Sequence, residues 1–197
     1  MSGLNYFPFA GLLVIVITLV IKILFLKNRQ IVFGPGFRKN KKIPLVLLVV
    51  LFLIWLFEIT KPFILESLQV LPVFLTNLII HSHILKIAGS LVLFMSLLLW
   101  IITLLHFKTS LRFSLNENNS GKLITTGIFA FSRNPFFISL DFYFFGIALI
   151  FPNLFFIGYA ILTIGSIHFF ILKEEKFLLK IYGKEYEKYA GKVARYF

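Results

Sequence analysis

The sequence predicts an all-α polytopic membrane protein, and three observations lead to this prediction. Hydrophobic residues make up 59% of the 197 residues and the mean hydropathy is +0.93, which is too apolar for a soluble domain of this size. The chain contains no cysteine, which excludes a small secreted fold held together by disulfide bonds. Several apolar stretches approach the roughly 20 residues that a helix needs to cross a hydrocarbon core about 30 Å thick.

Five such stretches are predicted to be transmembrane helices of a single membrane-embedded domain, residues 1–197. They run over Leu4–Leu26, Ile43–Ile59, Ile84–Leu105, Pro135–Phe151 and Leu154–Leu172. Each is expected to be helical because lipid offers no hydrogen-bond partner to a free backbone amide. The first stretch is not preceded by a basic residue and is longer than the core of a signal peptide, so we expect it to remain in the membrane.

A sixth apolar stretch, Phe63–Ile80, is excluded as a span by the distribution of charge. Segments 27–42, 106–134 and 173–197 hold six, four and seven basic residues, or 17 of the 20 lysines and arginines. Basic residues near span ends prefer the cytoplasmic side, and five spans put all 17 on one side, whereas a sixth span would divide them. We therefore expect an external N-terminus and a cytoplasmic C-terminus. The net charge of +12 then reflects topology and attraction to membrane lipids, with no nucleic acid partner.

The last two spans are predicted to form an antiparallel helical hairpin, joined by a tight turn at Phe151–Asn153. Both ends of this hairpin return to the same face of the membrane, so the segment Gly127–Pro135 should lie beside Glu174 and Glu175. An acidic pair is poorly placed at a helix C-terminus, where the helix dipole is negative, and it calls for a compensating cation. That cation is either a neighbouring lysine of the same segment or the ammonium group of a bound ligand.

Two motifs occur at these hairpin ends. The first runs from Leu123 to Phe129 and continues at Arg133–Phe137. The second comprises Glu174, Glu175, Leu178, Tyr182, Gly183, Tyr186, Tyr189, Val193 and Arg195. Together they resemble the isoprenylcysteine carboxyl methyltransferase-like membrane methyltransferases, which are related to the phospholipid methyltransferases. The resemblance covers roughly the C-terminal third of the chain.

The resemblance implies an S-adenosylmethionine cofactor held by residues 121–197, and a lipophilic or prenylated substrate that arrives from the bilayer. The ammonium group of the cofactor would bind Glu174, while Glu175 would bind the cofactor or form an ion pair with Arg133. The cofactor-binding residues that the family pattern implies are Lys122, Leu123, Ile124, Phe129, Asn134, Pro135, Phe136, Phe137, Glu174 and Glu175. The methyl acceptor would be an isoprenylcysteine-type carboxylate or a related amphiphile.

This sequence departs from the family pattern at several positions. Asn134 replaces a histidine, Phe129 and Phe137 replace tyrosines, and Phe170 stands where the eukaryotic enzymes have an arginine that faces the substrate carboxylate. These changes affect the identity of the methyl acceptor more than they affect the cofactor pocket.

Few catalytic groups are expected, because in-line methyl transfer needs alignment and a desolvated nucleophile more than a strong acid or base. The candidates are Arg133, His106 and Asp141. An ionisable residue within a span is costly and indicates a functional role, which applies to Asp141 and His168. Alternatively, these two side chains satisfy each other across the hairpin.

The segment Lys173–Phe197 is predicted to be a cytoplasmic amphipathic helical tail that Gly183 and Gly191 can bend. It would act either as a lid over the hairpin mouth or as an anchor on anionic lipid. No metal site is expected, since the His81-Ser82-His83 fragment has no further ligand nearby. Two alternative functions remain: a nicotinamide-dependent membrane reductase of the sterol type, and a non-catalytic membrane scaffold.

Overall fold

The structure is a computed structural model that describes residues 3–26, 42–64, 68–107 and 123–197. Within these ranges the regular secondary structure is helical, and no β-strand is present. The helices are α1 (Phe7–Leu26), α2 (Lys42–Ile64), α3 (Val73–Thr76), α4 (His83–His106), α5 (Pro135–Ile150), α6 (Leu154–Tyr182) and α7 (Lys184–Ala190), with 3-10 turns at Gly3–Tyr6 and Gly127–Ala130.

The all-helical membrane class that the sequence predicts is confirmed. Four segments are long and apolar enough to cross a bilayer: Gly3–Phe25, Val46–Phe63, and the full lengths of α4 and α6. Helix α5 is apolar but has only 16 residues. The sixth apolar stretch, Phe63–Ile80, was excluded as a span because of the charge distribution. In the residues of this stretch that the structure describes, the helical residues are the end of α2 and the single turn of α3.

Helix α4 lies at the centre of the fold and packs closely against α5. Two glycines face each other where these helices cross: a Cβ on Gly89 would lie 2.7 Å from the backbone oxygen of Gly146, and one on Gly146 would lie 2.9 Å from the oxygen of Gly89. Small residues at a crossing let two helix backbones approach closely, which is how helices pack where no water drives them together.

Polar side chains join the helices within this apolar core. The Trp100 indole of α4 donates a hydrogen bond to Thr18 of α1 at 2.9 Å. Ser96 of α4 donates to the Ser139 carbonyl of α5 at 2.6 Å. The Tyr143 hydroxyl of α5 donates to the Pro8 carbonyl of α1 at 2.7 Å. Because a buried polar group without a partner is costly, each of these bonds also fixes how the helices are rotated.

Helices α5 and α6 are joined by Phe151–Asn153 and lie side by side. Asn153 begins α6, where its side chain accepts a hydrogen bond from the Phe156 amide at 2.8 Å. It also donates to the Thr76 carbonyl at 3.1 Å, which ties the turn to α3. At the far end, the side chain of Asn134, just before α5, lies 3.4 Å from Glu175 of α6.

The boundary of the tail differs from the prediction. Helix α6 passes through Lys173 without a break and ends at Tyr182, ten residues beyond the predicted Leu172; Gly183 follows, and its φ of +49° suits glycine. The apolar run that defined the predicted span ends at the first charged residues, but the helical hydrogen bonds continue past them. Between Lys173 and Phe197 the tail comprises the end of α6, the short helix α7 and a non-helical C-terminal segment, residues 191–197, so its helix is interrupted at Gly183 and ends before Gly191, the two glycines expected to bend it.

Candidate functional site at the ends of α5 and α6

Glu175 is the centre of an ion-pair network where the start of α5 meets α6. One carboxylate oxygen lies 3.3 Å from the Arg133 guanidinium and 3.4 Å from the Asn134 amide nitrogen. The other accepts hydrogen bonds from Nε and Nη2 of Arg195, at 3.0 and 2.8 Å. The predicted ion pair between Glu175 and Arg133 is confirmed, and both oxygens of Glu175 are engaged.

The C-terminal segment is fastened to the start of α5 by further hydrogen bonds. The Arg133 amide donates to the Ala194 carbonyl at 3.0 Å. The carbonyl of Arg195 accepts from the Asn134 side chain at 3.2 Å and from the Ser132 hydroxyl at 3.3 Å. The tail therefore folds back onto the motif that precedes α5. The candidate residues named from the sequence do not include Ser132 and Arg195, although Arg195 ends the second motif.

Helix α7 brings two buried tyrosines to the same place. The Tyr189 hydroxyl donates to the Phe129 carbonyl at 2.6 Å, which joins α7 to the 3-10 turn. The Tyr186 hydroxyl is buried without a hydrogen-bond partner. Burial, and then the negative charge of Glu175, raise the pKa of Tyr186 to about 12, so its hydroxyl stays protonated at neutral pH.

Three buried polar atoms in this region have no partner among the described residues: Oε2 of Glu174, Nε of Arg133 and the hydroxyl of Tyr186. Both charged groups act on the tyrosine: the charge of Glu174 raises the pKa of the Tyr186 hydroxyl and that of Arg133 lowers it. Buried polar atoms are nearly always hydrogen-bonded, so an acid, a guanidinium and a hydroxyl left unpaired together indicate a site for a polar ligand.

The arrangement also distinguishes the two adjacent carboxylates. Within the described residues, the cations within 4 Å of Glu175 are Arg133 and Arg195, which come from outside α6. One interpretation of the sequence assigned the neighbouring lysines of α6 to the acidic pair; for Glu175 the compensating cations are instead these two arginines. Glu174 is the carboxylate that keeps a buried oxygen unpaired.

The predicted apolar residues fall into two groups. Phe129 packs against Phe107, the residue that follows α4, with ring centroids 5.1 Å apart, and Phe136 lies 4.7 Å from Trp100 of α4, so both contact α4 or the residue at its end. Phe137 instead faces α6, where it lies 5.5 Å from Phe170. Pro135 is the buried first residue of α5, and Leu123 and Ile124 are half-buried before the 3-10 turn. Lys122 lies outside the described residues.

The three catalytic candidates occupy different positions. His106 ends α4, where its Nδ1 lies 2.8 Å from the Ile102 carbonyl. Its ring lies against Gly127, and a Cβ on that glycine, whose φ is +67°, would overlap the ring. Arg133 belongs to the Glu175 network, and Asp141 lies about two turns into α5. The described hydrogen bonds and ion pairs do not join any two of these three side chains.

Asp141 and His168 do not satisfy each other, so that alternative interpretation of the two residues is wrong. Nδ1 of His168 is hydrogen-bonded to the hydroxyl of Tyr196, from the C-terminal segment, while Oδ1 of Asp141 is buried without a partner. The sequence did not predict this contact, because Tyr196 lies 28 residues after His168 in the chain. In the part of the chain that the structure describes, no group of three histidines or carboxylates is arranged to hold a metal ion.

A sequence model of the phospholipid methyltransferase family matches residues 84–185, which is 102 of the 197 residues and more than half of the chain. The match extends from α4 through the turn before α5 to the start of α7, so it includes Glu174 and Glu175. No curated protein and no solved structure matches the chain. The family contains methyltransferases of the isoprenylcysteine carboxyl methyltransferase-like group. With this match and the helical architecture together, the chain belongs to the phospholipid methyltransferase family of membrane methyltransferases.

Proposed function

We propose that the protein is an S-adenosylmethionine-dependent methyltransferase that acts on a lipophilic acceptor delivered from the bilayer. The observation that carries this proposal is the set of three unpaired buried polar atoms on Glu174, Arg133 and Tyr186. They stand within the segment that the family match covers, or one residue beyond its end.

These atoms fit the polar groups of the cofactor. A carboxylate such as Glu174 pairs with an ammonium group, and the free Nε of Arg133 donates to a carboxylate. The Tyr186 hydroxyl can donate to or accept from a ribose hydroxyl. Glu175 is already neutralised by two arginines, so it holds Arg133 in place and does not compete for the ammonium group.

The cofactor supplies a methyl group on a positively charged sulfur, and the protein's task is to align that methyl group and exclude water. The tail contributes to both. Hydrogen bonds from Ser132, Arg133 and Asn134 hold residues 194–195 over the start of α5, and Tyr189 closes α7 onto the 3-10 turn. We therefore propose that the tail is a lid on the cofactor site.

We also propose that α5 is a fifth membrane crossing, despite its 16 residues. The turn Phe151–Asn153 joins its end to the beginning of α6, while Asn134, just before α5, lies 3.4 Å from Glu175. The 16 residues of α5 rise about 24 Å at 1.5 Å per residue, and they run beside the part of α6 from Leu154 to Glu175, which rises about 30 Å. A hydrocarbon core is about 30 Å thick, and a helix a few Å shorter than the core is accommodated by local thinning of the bilayer.

Equilibrium binding to the purified protein in nonionic detergent tests this function. We expect titration calorimetry to show binding of S-adenosylmethionine and S-adenosylhomocysteine, and no binding of NADPH. A reductase would bind NADPH, and a scaffold would bind none of the three, so either pattern would contradict the proposal. Transfer of radiolabelled methyl groups into a total lipid extract then tests the reaction itself.

A further inference from the structure

Residues 68–80, which we call the capping segment, lie between α2 and α4 and cover the turn that joins α5 to α6. The Ile79 amide donates a hydrogen bond to the Pro152 carbonyl at 2.8 Å. The Asn153 side chain donates to the Thr76 carbonyl at 3.1 Å, and α3 packs against α6. The capping segment is therefore fixed to the end of the hairpin that lies away from Glu175.

The surface of the capping segment is apolar and uncharged. Phe74 is 66% exposed and Ile79 is 56% exposed. The large apolar side chains that are exposed along the segment are Leu68, Val70, Val73, Phe74, Ile79 and Ile80. Residues 68–80 include no lysine, arginine, aspartate or glutamate. A continuous apolar surface of this kind indicates contact with a lipid or with another protein.

The backbone of the capping segment is hydrogen-bonded within the protein, although little of it is helical. The Gln69 side chain donates to the Leu71 carbonyl at 2.9 Å, and it also bonds to the Thr76 hydroxyl at 3.0 Å. The amides of Leu75 and Asn77 close the turn of α3. The carbonyls that accept hydrogen bonds are those of Leu71, Pro72, Val73 and Thr76. This pairing suits a lipid environment, because lipid offers no partner to a free backbone group.

The length of α5 indicates the depth of the capping segment. The 16 residues of α5 rise about 24 Å, a few Å less than the thickness of a hydrocarbon core. A bilayer thins to meet a short helix, so the turn at the end of α5 lies where the acyl chains meet the head groups. The capping segment, which is bonded to that turn, lies at the same depth.

We propose that the capping segment is a lipid-binding surface that inserts its exposed apolar side chains, Phe74 and Ile79 among them, between the acyl chains of the leaflet opposite the cofactor site. The choice of leaflet rests on the fifth crossing proposed above, whereas the lipid contact itself does not. The segment has no cation, so its binding depends on apolar area and does not need anionic lipid.

Tryptophan fluorescence of the full-length protein in phosphatidylcholine vesicles tests this proposal. Trp55 and Trp100 are the only native tryptophans and are 1% and 2% exposed, so the wild type supplies a small background to subtract. Phe74→Trp places a reporter on the capping segment. Phe94→Trp, on an exposed position within α4, is the control for a residue in lipid, and Lys192→Trp, in the exposed tail, is the control for water.

The quenchers are phosphatidylcholine brominated at either end of its acyl chains, and iodide on both sides of the vesicle membrane. We expect Phe74→Trp to be quenched by brominated lipid about as strongly as Phe94→Trp, and more by bromine near the glycerol end than by bromine near the methyl end. Phe94→Trp should show the opposite depth preference. Lys192→Trp should be quenched mainly by iodide.

Stronger quenching of Phe74→Trp by iodide than by brominated lipid would place the capping segment in water and overturn the proposal. Weak quenching by both would show that a protein, such as a second copy of this chain, covers the segment, and it would also overturn the proposal. If Phe74→Trp does not fold, Ile79→Trp is judged by the same criteria, since its backbone bond to Pro152 is retained. Titration of these variants with S-adenosylmethionine tests the methyltransferase proposal separately, so either proposal can fail alone.

Discussion

At the scale of single residues, the adjacent pair Glu174 and Glu175 shows how one residue type takes two roles. Consecutive residues of a helix point about 100° apart, because a turn contains 3.6 residues. Glu175 consequently meets two arginines, and Glu174 keeps a buried oxygen without a partner. Glu175 is expected to maintain the frame of the site, and Glu174 to bind the ligand.

The first prediction concerns Glu174. Glu174→Gln keeps the shape of the side chain and removes its charge, so it should weaken S-adenosylmethionine binding by about 1.5 to 3 kcal/mol, the range for a charged hydrogen bond. Titration calorimetry measures the change. Glu187→Gln, which makes the same substitution on an exposed position of α7, serves as the control and should bind normally. Unchanged affinity in folded Glu174→Gln would show that the carboxylate does not face the cofactor.

At the scale of helices, the crossing of α4 and α5 places the start of α5 against Phe107 and Trp100. The crossing depends on Gly89 and Gly146, whose backbones are too close for an added side chain. The obstacle on each side is a backbone oxygen, which cannot move away as a flexible side chain can.

Gly146→Ala should therefore destabilise the protein by about 1 to 3 kcal/mol, the usual cost of overpacking. Gly158→Ala on α6 is the matched control, because a Cβ there meets nothing within 4 Å. The control should be neutral or slightly stabilising, since alanine favours a helix over glycine by about 1 kcal/mol. Denaturant unfolding in detergent compares the two variants. Equal stability of both would contradict the close crossing.

The tail gives a second prediction at this scale. If it is a lid, S-adenosylhomocysteine should slow trypsin cleavage at the exposed Lys188 and Lys192, in nonionic detergent without anionic lipid. Glu175→Gln removes the charge that holds Arg195, so its tail should be cleaved faster. An anchor would instead gain protection from anionic lipid and none from the nucleoside. That pattern, in protein that binds S-adenosylhomocysteine, would refute the lid.

At the scale of the whole molecule, apolar runs were enough to predict the helical membrane class, because lipid leaves the backbone few alternatives. They did not predict where α6 ends, since helix propagation past Lys173 depends on hydrogen bonding and not on hydropathy. The contacts of Arg195 and Tyr196 were also missed. Both residues belong to a non-helical segment, whose direction depends on the turn at Gly183 and on partners 20 or more residues away.

The final prediction concerns membrane topology, where α5 decides the outcome. If α5 crosses, the chain has five spans and its termini lie on opposite sides; if α5 does not cross, four spans place them on the same side. The chain contains no cysteine, so Gly3→Cys, His81→Cys and Lys192→Cys each introduce a single thiol for labelling in sealed vesicles. We expect an impermeant maleimide to label positions 3 and 81 from the outside and position 192 only from the cytoplasmic side, as the 17 sorted basic residues indicate. Labelling of positions 81 and 192 from one side would rule out the five-span arrangement.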